Sequence, residues 1–161
     1  MSKLLLALAI SIAALPICRA ADMAPLTIYR VCMGQVAAND RMWLHFWSPE
    51  VAQGNTDPIC VLRKPELAGL PVRSARVGPS PLGVGAVAII GLDESARPLI
   101  EQMTRRNKGN LVVFVVDQRV VSLAMITQAY ADSRIFITTL TRADADEIVS
   151  TVLRGEHGKD R

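Results

Sequence analysis

The feature that most constrains this fold is an apolar run that a second apolar run follows almost at once. Residues 111–116 read Leu-Val-Val-Phe-Val-Val, and an unbroken β-branched and aromatic run of this kind is typical of a strand buried on both faces. Asp117 and Gln118 come next, and residues 120–126 form another strand-like stretch. A short polar link between two such runs predicts a tight hairpin at residues 117–119.

A first amphipathic helix is predicted from about Ser95 to Asn107. The preceding residues, Asp93-Glu94-Ser95, are typical of a helix start. With Ser95 as the N-cap, Pro98 falls in the first turn, where its missing N–H costs little. The apolar residues recur at helical spacing and form one stripe: Ala96, Leu99, Ile100 and Met103.

A second helix is predicted to begin at Thr141 and to end at Gly155. Thr141 with Asp144 three residues later resembles a capping box in which aspartate replaces glutamate. Its apolar stripe consists of Ala145, Ile148, Val149, Val152 and Leu153.

Shorter extended stretches surround these elements. Strands are predicted at residues 27–32, 42–47, 59–63, 71–77, 84–92 and 135–137, and a turn or short helix at residues 64–70. The order strand, helix, hairpin, strand, helix predicts an α+β fold, in which two amphipathic helices pack on one face of a largely antiparallel sheet.

The first twenty residues have the pattern of a secretory leader. Lys3 gives a positive start, residues 4–17 are apolar, and residues 18–20 read Cys-Arg-Ala, a small-residue cleavage context. We expect cleavage after Ala20 and a mature protein that is periplasmic or secreted. Two alternatives stay open. The leader could be retained as an anchor, or lipid could be attached at Cys18, although the residue before it is isoleucine and a lipobox prefers a small one.

The domain organisation follows from this leader. We expect a leader at residues 1–20, a strand and loop segment at residues 21–58 that belongs to the main domain, the α+β domain at residues 59–155, and a polar tail at residues 156–161. Loss of the two basic leader residues reduces 18 basic residues to 16 against 15 acidic ones. Charge therefore gives no reason to expect nucleic-acid binding. No second apolar segment long enough to span a membrane follows the leader.

Two cysteines, Cys32 and Cys60, remain once the leader is removed. In an oxidising compartment such a pair predicts a disulfide, which would stabilise the fold by roughly 3 kcal/mol in the chain-entropy model. Two unpaired thiols are the alternative.

Residues 42–47, Met-Trp-Leu-His-Phe-Trp, contain both tryptophans of the chain. At strand period, Trp43, His45 and Trp47 share one face. That face is either an exposed aromatic platform for a peptide or glycan, or part of a core strand with a partly buried histidine. We favour the core strand.

The sequence lacks the patterns that catalysis or metal binding usually requires. The two histidines, His45 and His157, are far apart, and no C-x-x-C, H-E-x-x-H, calcium-loop or G-x-S-x-G pattern occurs. We therefore expect no metal, no cofactor and no enzymatic activity.

Several stretches resemble a known family in the same order and spacing. Residues 67–77 resemble its "l.g..v..A.v" lead-in, residues 87–92 and 103–109 its "v.l.l…G…f..lT..n.G" pattern, residues 111–122 its "lAivlDgkvvs", and residues 135–155 its closing "I.g.fT.eeA..la..L..G". The family is the head subdomain of the first periplasmic domain of SecD/SecDF, the membrane subunit that assists protein export.

The resemblance implies an α+β head module that faces the periplasm and contacts polypeptide during translocation. The chain differs from the family in three respects. It lacks the many membrane helices of the export subunits, residues 123–125 (Leu-Ala-Met) lack the family's proline step, and residues 128–133 replace its glycine-rich turn.

We therefore expect a stand-alone, non-catalytic exported protein that binds a polypeptide or an envelope protein. The expected surface is the sheet edge and turn near Tyr130, because an exposed edge can accept a peptide strand. One alternative is a periplasmic hydrolase or ligand-binding protein that uses the Trp43, His45 and Trp47 face. The other is an inhibitory or structural partner of a neighbouring gene product.

Overall fold

The computed structural model describes residues 25–47, 57–80, 83 and 85–154. The expectations for the leader, with Ala20 and Cys18, and for the polar tail at residues 156–161 concern residues outside this part of the chain. The described residues form nine strands and two α-helices: β1 (Leu26–Arg30), β2 (Arg41–Phe46), β3 (Ile59–Leu62), β4 (Leu67–Leu70), β5 (Val72–Pro79), β6 (Ala86–Leu92), α1 (Ala96–Arg106), β7 (Leu111–Val116), β8 (Arg119–Met125), β9 (Arg134–Thr139) and α2 (Arg142–Arg154).

Six of the strands form one mixed sheet in the order β3–β2–β8–β7–β1–β4. β2 and β8 are parallel, and the other neighbouring pairs are antiparallel. β7 and β8 form the predicted hairpin. Its link residues Asp117 and Gln118 both have positive φ, 48° and 61°, as a two-residue type I′ turn requires. The hairpin prediction is confirmed.

The six-stranded sheet curls until β3 meets the end of β1. Val31 and Val61 form an antiparallel bridge, and the N–H of Cys32 donates to the carbonyl of Cys60 (2.9 Å). The inward side chains form an apolar cluster of their own, centred on Val61, Val113, Val115 and Val120. The strands β1, β3, β2, β8 and β7 therefore surround a small barrel-like core, and β4 pairs with the first part of β1 beside the seam.

A disulfide fastens this seam. Cys32 and Cys60 are bonded, with their Cα atoms 5.4 Å apart, a usual separation for a disulfide. The predicted pairing is therefore present, and the alternative of two unpaired thiols is wrong. Because the bond joins the end of β1 to β3, it holds the barrel closed at the point where an isolated bridge pair links the two strands.

The other three strands form an antiparallel sheet in the order β5–β6–β9. α2 packs on this sheet through the buried side chains of Ala145, Ile148 and Val152. α1 adds Ile100 and Met103 to the same main core, which also contains the outer faces of β1 and β7. The predicted α+β class, with mostly antiparallel strands and two amphipathic helices, is confirmed. The division of the strands between two sheets is a feature that the sequence pattern does not predict.

One local prediction is wrong, one is confirmed, and one is confirmed only in the position of the N-cap residue. Residues 67–70 form β4 rather than a turn or short helix, because they pair with β1, and periodicity cannot identify so short an apolar stretch. Ser95 does precede α1, but its side chain does not cap the helix. Instead the Asp93 carboxylate accepts from the N–H (3.0 Å) and the hydroxyl (2.7 Å) of Ser95. At α2, Thr141 Oγ1 accepts from the N–H of Asp144 (3.1 Å), as predicted.

Candidate functional site

Tyr130 lies in the loop between β8 and β9 and fastens that loop to the core. Its backbone N–H donates to Oγ1 of Thr104, a buried residue of α1 (2.9 Å). Its hydroxyl donates to the carbonyl of Arg134 at the start of β9 (2.6 Å). Burial raises the pKa of Tyr130, and the negative charge of Asp132 adds to the rise. The hydroxyl therefore keeps its proton and remains a donor to β9.

Asp132 accepts a hydrogen bond from the backbone N–H of Arg134. Its Oδ1 accepts from the N–H of Arg134 (2.9 Å), and the Arg134 guanidinium donates to its Oδ2 (2.8 Å). The hydrogen bond from the Arg134 side chain is the main cause of the lowered pKa of Asp132. Both backbone groups of Arg134 are therefore bonded to side chains of the adjoining loop.

β9 is an edge strand that pairs with β6 on one side, and no described strand lies on its other side. The N–H of Leu92 donates to the carbonyl of Ser133 (2.8 Å). Backbone groups of an antiparallel strand point alternately toward and away from its partner. Residues 134, 136 and 138 therefore direct their backbone groups outward. Since Arg134 is already bonded to the loop, the open positions are Phe136 and Thr138.

Exposed apolar side chains lie beside these open backbone groups. Buried and exposed side chains alternate along β9. The ring of Phe136 is 50% exposed, and the Arg134 guanidinium lies 5.7 Å from its centre. Leu140, directly after the strand, is 68% exposed. We call this surface the β9 edge: the outward backbone of Phe136 and Thr138 with the side chains of Phe136 and Leu140. Free backbone donors and acceptors beside apolar side chains are what a strand-adding site requires.

A shallow polar pocket adjoins the start of the β9 edge. It is lined by Glu94, Arg97 and residues 131–134. The hydroxyl of Ser133 donates to Oε1 of Glu94 (2.7 Å), which ties the loop to the residues just before α1. Charges of both signs therefore lie at one end of the edge.

The predicted aromatic face of β2 is largely exposed. Trp43 is 55% exposed and His45 is exposed, whereas Trp47 is half-buried against the main core. The core-strand interpretation is therefore wrong for Trp43 and His45, because the alternate side chains of β2, and not these two, point into the barrel. Within the described part of the chain, no serine or cysteine is hydrogen-bonded to His45.

The predicted site residues fall in two places and not in one. Tyr130 packs beside α1 and the start of β9, whereas Trp43 and His45 lie on the outer face of the barrel. Sequence reasoning missed Phe136 and Leu140. A signal for Phe136 was available, since the run Ile135-Phe136-Ile137 puts the phenylalanine on the face opposite two isoleucines.

The described residues contain neither a metal-binding cluster nor a helix that could span a membrane. Among them, no group of three or more His, Cys, Asp or Glu side chains could hold a metal ion. The helices of the same part of the chain are too short or too polar to cross a membrane.

The described residues thus define an α+β module with one sheet closed on itself and one sheet open along β9. Its family follows from the sequence. The SecDF P1 head subdomain family matches residues 46–156. Because this match spans more than half of the chain, the protein belongs to the SecDF P1 head subdomain family.

Two solved structures are similar in fold. One comes from work on the structure and function of a membrane component, SecDF, that enhances protein export; it has a TM-score of 0.60 at 19% identity and covers 84% of this chain and 64% of that chain. The other, SecDF in a super-membrane-facing form, has a TM-score of 0.59 at 21% identity and covers 84% of this chain and 19% of that chain. The chain thus spans less than two thirds of either one, and at such identity the likeness concerns the fold alone. No curated protein matches the sequence.

Proposed function

We propose that this protein is a non-catalytic exported protein that binds an extended polypeptide, from an export substrate or an envelope protein, along the β9 edge. Family membership supports a link to protein export, because a SecDF structure of the same fold is described as a component that enhances protein export. The single observation that carries the proposal is the open edge itself, where the outward backbone of Phe136 and Thr138 pairs with no described strand and lies beside an exposed ring.

Compartment and domain limits are part of the same proposal. The chain is exported and cleaved near Ala20, which makes it periplasmic or secreted, or it is held at a membrane by lipid on Cys18. Residues 21–58 and residues 59–155 form one domain. The position of β1 between β7 and β4 in the same sheet supports this assignment.

The size of the β9 edge suits a transient contact. Two residues offer up to four backbone hydrogen bonds, each worth about 1 kcal/mol net. Phe136 and Leu140 add apolar contact on one side of the added strand. Binding of this size is weak, as a contact with a moving polypeptide requires.

The direct test uses an eight-residue fluorescent peptide of alternating valine and threonine. Affinity is measured by anisotropy with wild-type protein, Thr138→Pro and Thr138→Ala. Proline removes the outward N–H of residue 138 at a position where an edge strand tolerates it, so we expect about tenfold weaker binding. Alanine keeps that N–H and leaves the affinity within twofold. Equal affinities for the two variants would exclude the β9 edge.

A second measurement does not depend on how a variant folds. N-methylation of alternate residues on one edge of the peptide blocks strand pairing along that edge only. With wild-type protein, one of the two N-methylated series should lose binding and the other should keep it. Loss in both series, or in neither, contradicts strand addition.

A further inference from the structure

The outer face of β2 carries a feature that the proposed function does not use. Every second side chain of β2 packs into the barrel core, and the others point outward. Arg119 of β8 joins the outward residues because its Cα is paired with that of His45. The set that we call the β2 row consists of Arg41, Trp43, His45, Trp47 and Arg119.

Each arginine of the β2 row lies over an indole ring. The guanidinium carbon of Arg41 is 5.9 Å from the centre of the Trp43 ring, and that of Arg119 is 5.6 Å from the Trp47 ring. A guanidinium stacked on an aromatic face keeps its N–H edge available for a carboxylate. Neither arginine forms an ion pair with a described residue, although other arginines of the chain do.

Most of the β2 row is exposed, and among the described residues no carboxylate forms an ion pair with its two arginines. Trp43, His45 and Arg119 are exposed, and Arg41 is partly exposed. The acidic residues closest in sequence, Asp40 and Asp117, lie beyond its two ends. By charge complementarity the row fits an anionic partner.

The spacing of the two arginines selects among anionic partners. Arg119 stands beside His45, four residues beyond Arg41, so the two arginine positions lie roughly 13 Å apart along the strand at about 3.3 Å per residue. An extended polypeptide has the same rise per residue. Acidic residues at positions i and i+4 of such a chain therefore face the two guanidinium groups, which lie over Trp43 and Trp47, and the residue between them faces His45. The row runs along β2 and takes only Arg119 from the neighbouring strand β8, so it is long and narrow, which suits a linear chain better than a flat surface.

We propose that the β2 row is a docking site for an extended acidic polypeptide segment whose carboxylates are four residues apart. The inference rests on the proposed function only for the class of ligand, because it concerns the other sheet. The β9 edge binds backbone of any sequence, whereas the β2 row selects by the charge and spacing of side chains.

The test compares two nine-residue peptides of identical composition with wild-type protein. Both contain glycine, serine, one central leucine and two glutamates. The glutamates are at positions 3 and 7 in one peptide and at positions 3 and 4 in the other. We expect the first peptide to bind about fivefold more tightly, since only its carboxylates reach both arginines. Raising the salt concentration from 50 to 500 mM should weaken its binding. Equal affinities, or insensitivity to salt, would overturn the proposal.

Charge variants assign the site. Arg41→Gln and Arg119→Gln should each weaken binding of the first peptide about fivefold, and the double variant should remove the preference between the two peptides. Arg76→Gln is the matched control, because Arg76 is an exposed arginine of β5 in the other sheet. Arg41→Lys keeps the charge but loses the planar fork, so it should restore only part of the affinity. An effect of Arg76→Gln as large as that of Arg41→Gln would overturn the proposal.

Two further arms separate this site from its alternatives. A single-stranded oligonucleotide of equal charge should bind more weakly than the first peptide, and tighter binding of the oligonucleotide would mean a polyanion site instead. Thr138→Pro should leave the fivefold preference between the two glutamate peptides unchanged, because the β9 edge binds the backbone of both peptides alike. Loss of that preference in Thr138→Pro would mean that the β9 edge, and not the β2 row, selects the acidic segment.

Discussion

The two sheets of this protein differ at their edges: one closes on itself and the other stays open. The six-stranded sheet curls, its strand β3 meets the end of β1, and a disulfide fastens the seam. The three-stranded sheet stays open along β9, where only the first residue, Arg134, has its outward backbone groups bonded to the loop. Proteins commonly block or close exposed strand edges because such edges pair with other chains. The three-stranded sheet has two edges, β5 and β9, and of these β9 is the one with large exposed apolar side chains beside it, those of Phe136 and Leu140.

The largest expected effect on stability comes from a substitution at Gly85, which directly precedes β6 of the three-stranded sheet. Gly85 has φ of +73°, and a Cβ there would overlap the carbonyl oxygen of Thr139 at the end of β9. Gly85→Ala should lower the free energy of unfolding by about 3–4 kcal/mol, measured by urea denaturation, because positive φ and a backbone clash add together. Peptide binding at the β9 edge should fall with it.

Gly69→Ala is the control for that prediction. Gly69 in β4 has φ of +62°, but no atom lies within 4 Å of the added Cβ. Only the cost of placing alanine at positive φ applies here, so the free energy of unfolding should fall by about 1 kcal/mol. Equal losses at the two glycines would show that the close approach of Gly85 to the Thr139 carbonyl adds nothing to the cost of the substitution.

The next largest effect comes from opening the closed sheet. Replacing Cys32 and Cys60 together by alanine removes a cross-link between residues 28 apart in sequence. This should lower the free energy of unfolding by about 3 kcal/mol. Hydrogen exchange should quicken at Val31 and Val61 beside the seam and stay unchanged at Ile137 in β9. Faster exchange at Ile137 to the same extent would mean that the two sheets do not open independently.

Much of this fold follows from local patterns in the sequence. The run at residues 111–116 and its polar link sufficed for the hairpin, because β-branched runs and two-residue turns are strong short-range signals. The second helix followed from Thr141, Asp144 and an apolar stripe. The disulfide was predicted because two cysteines remain after the leader and the expected compartment is oxidising. No distance between the two cysteines was needed.

The closed sheet could not be predicted from such patterns. Closure depends on Val31 meeting Val61 and on β2 running parallel to β8, which are pairings between distant segments. The face of β2 shows the consequence. A run with Trp43 and His45 on one side and apolar residues on the other fits a core strand or an exposed strand equally well, and the barrel decides which side faces inward.

A smaller effect is expected at Tyr130, and it sharpens the difference between closed and open edges. Tyr130→Phe removes the hydroxyl that donates to the Arg134 carbonyl. The free energy of unfolding should fall by about 1 kcal/mol. The freed carbonyl also adds one acceptor to the β9 edge, so the affinity for the valine–threonine peptide should rise about twofold.

Tyr29→Phe is the matched control for Tyr130→Phe. Tyr29 packs against the barrel core, and its hydroxyl has no hydrogen-bond partner among the described residues. Its replacement should leave both the free energy of unfolding and the peptide affinity unchanged. If Tyr130→Phe weakened peptide binding instead, its hydroxyl would have to contact the peptide directly.

The smallest expected effect on stability concerns Asp93, which lies between β6 of the three-stranded sheet and α1. Hydrogen bonds from the hydroxyl and the N–H of Ser95, followed by that from Arg73, lower the pKa of Asp93 from 3.8 to about 2. A carboxyl group whose pKa is lower in the folded state stabilises the fold above its unfolded pKa, and this stabilisation is lost as the pH falls toward the folded value. The difference in Tm between wild type and Asp93→Asn should therefore be constant above pH 5 and shrink between about pH 4 and pH 2. Ser95→Ala should remove more of this pH dependence than Arg73→Gln, since the hydroxyl bond that it removes is the largest contribution to the shift. The reverse order would mean that the pair with Arg73, which joins β5 to the residues before α1, is the main support of this corner.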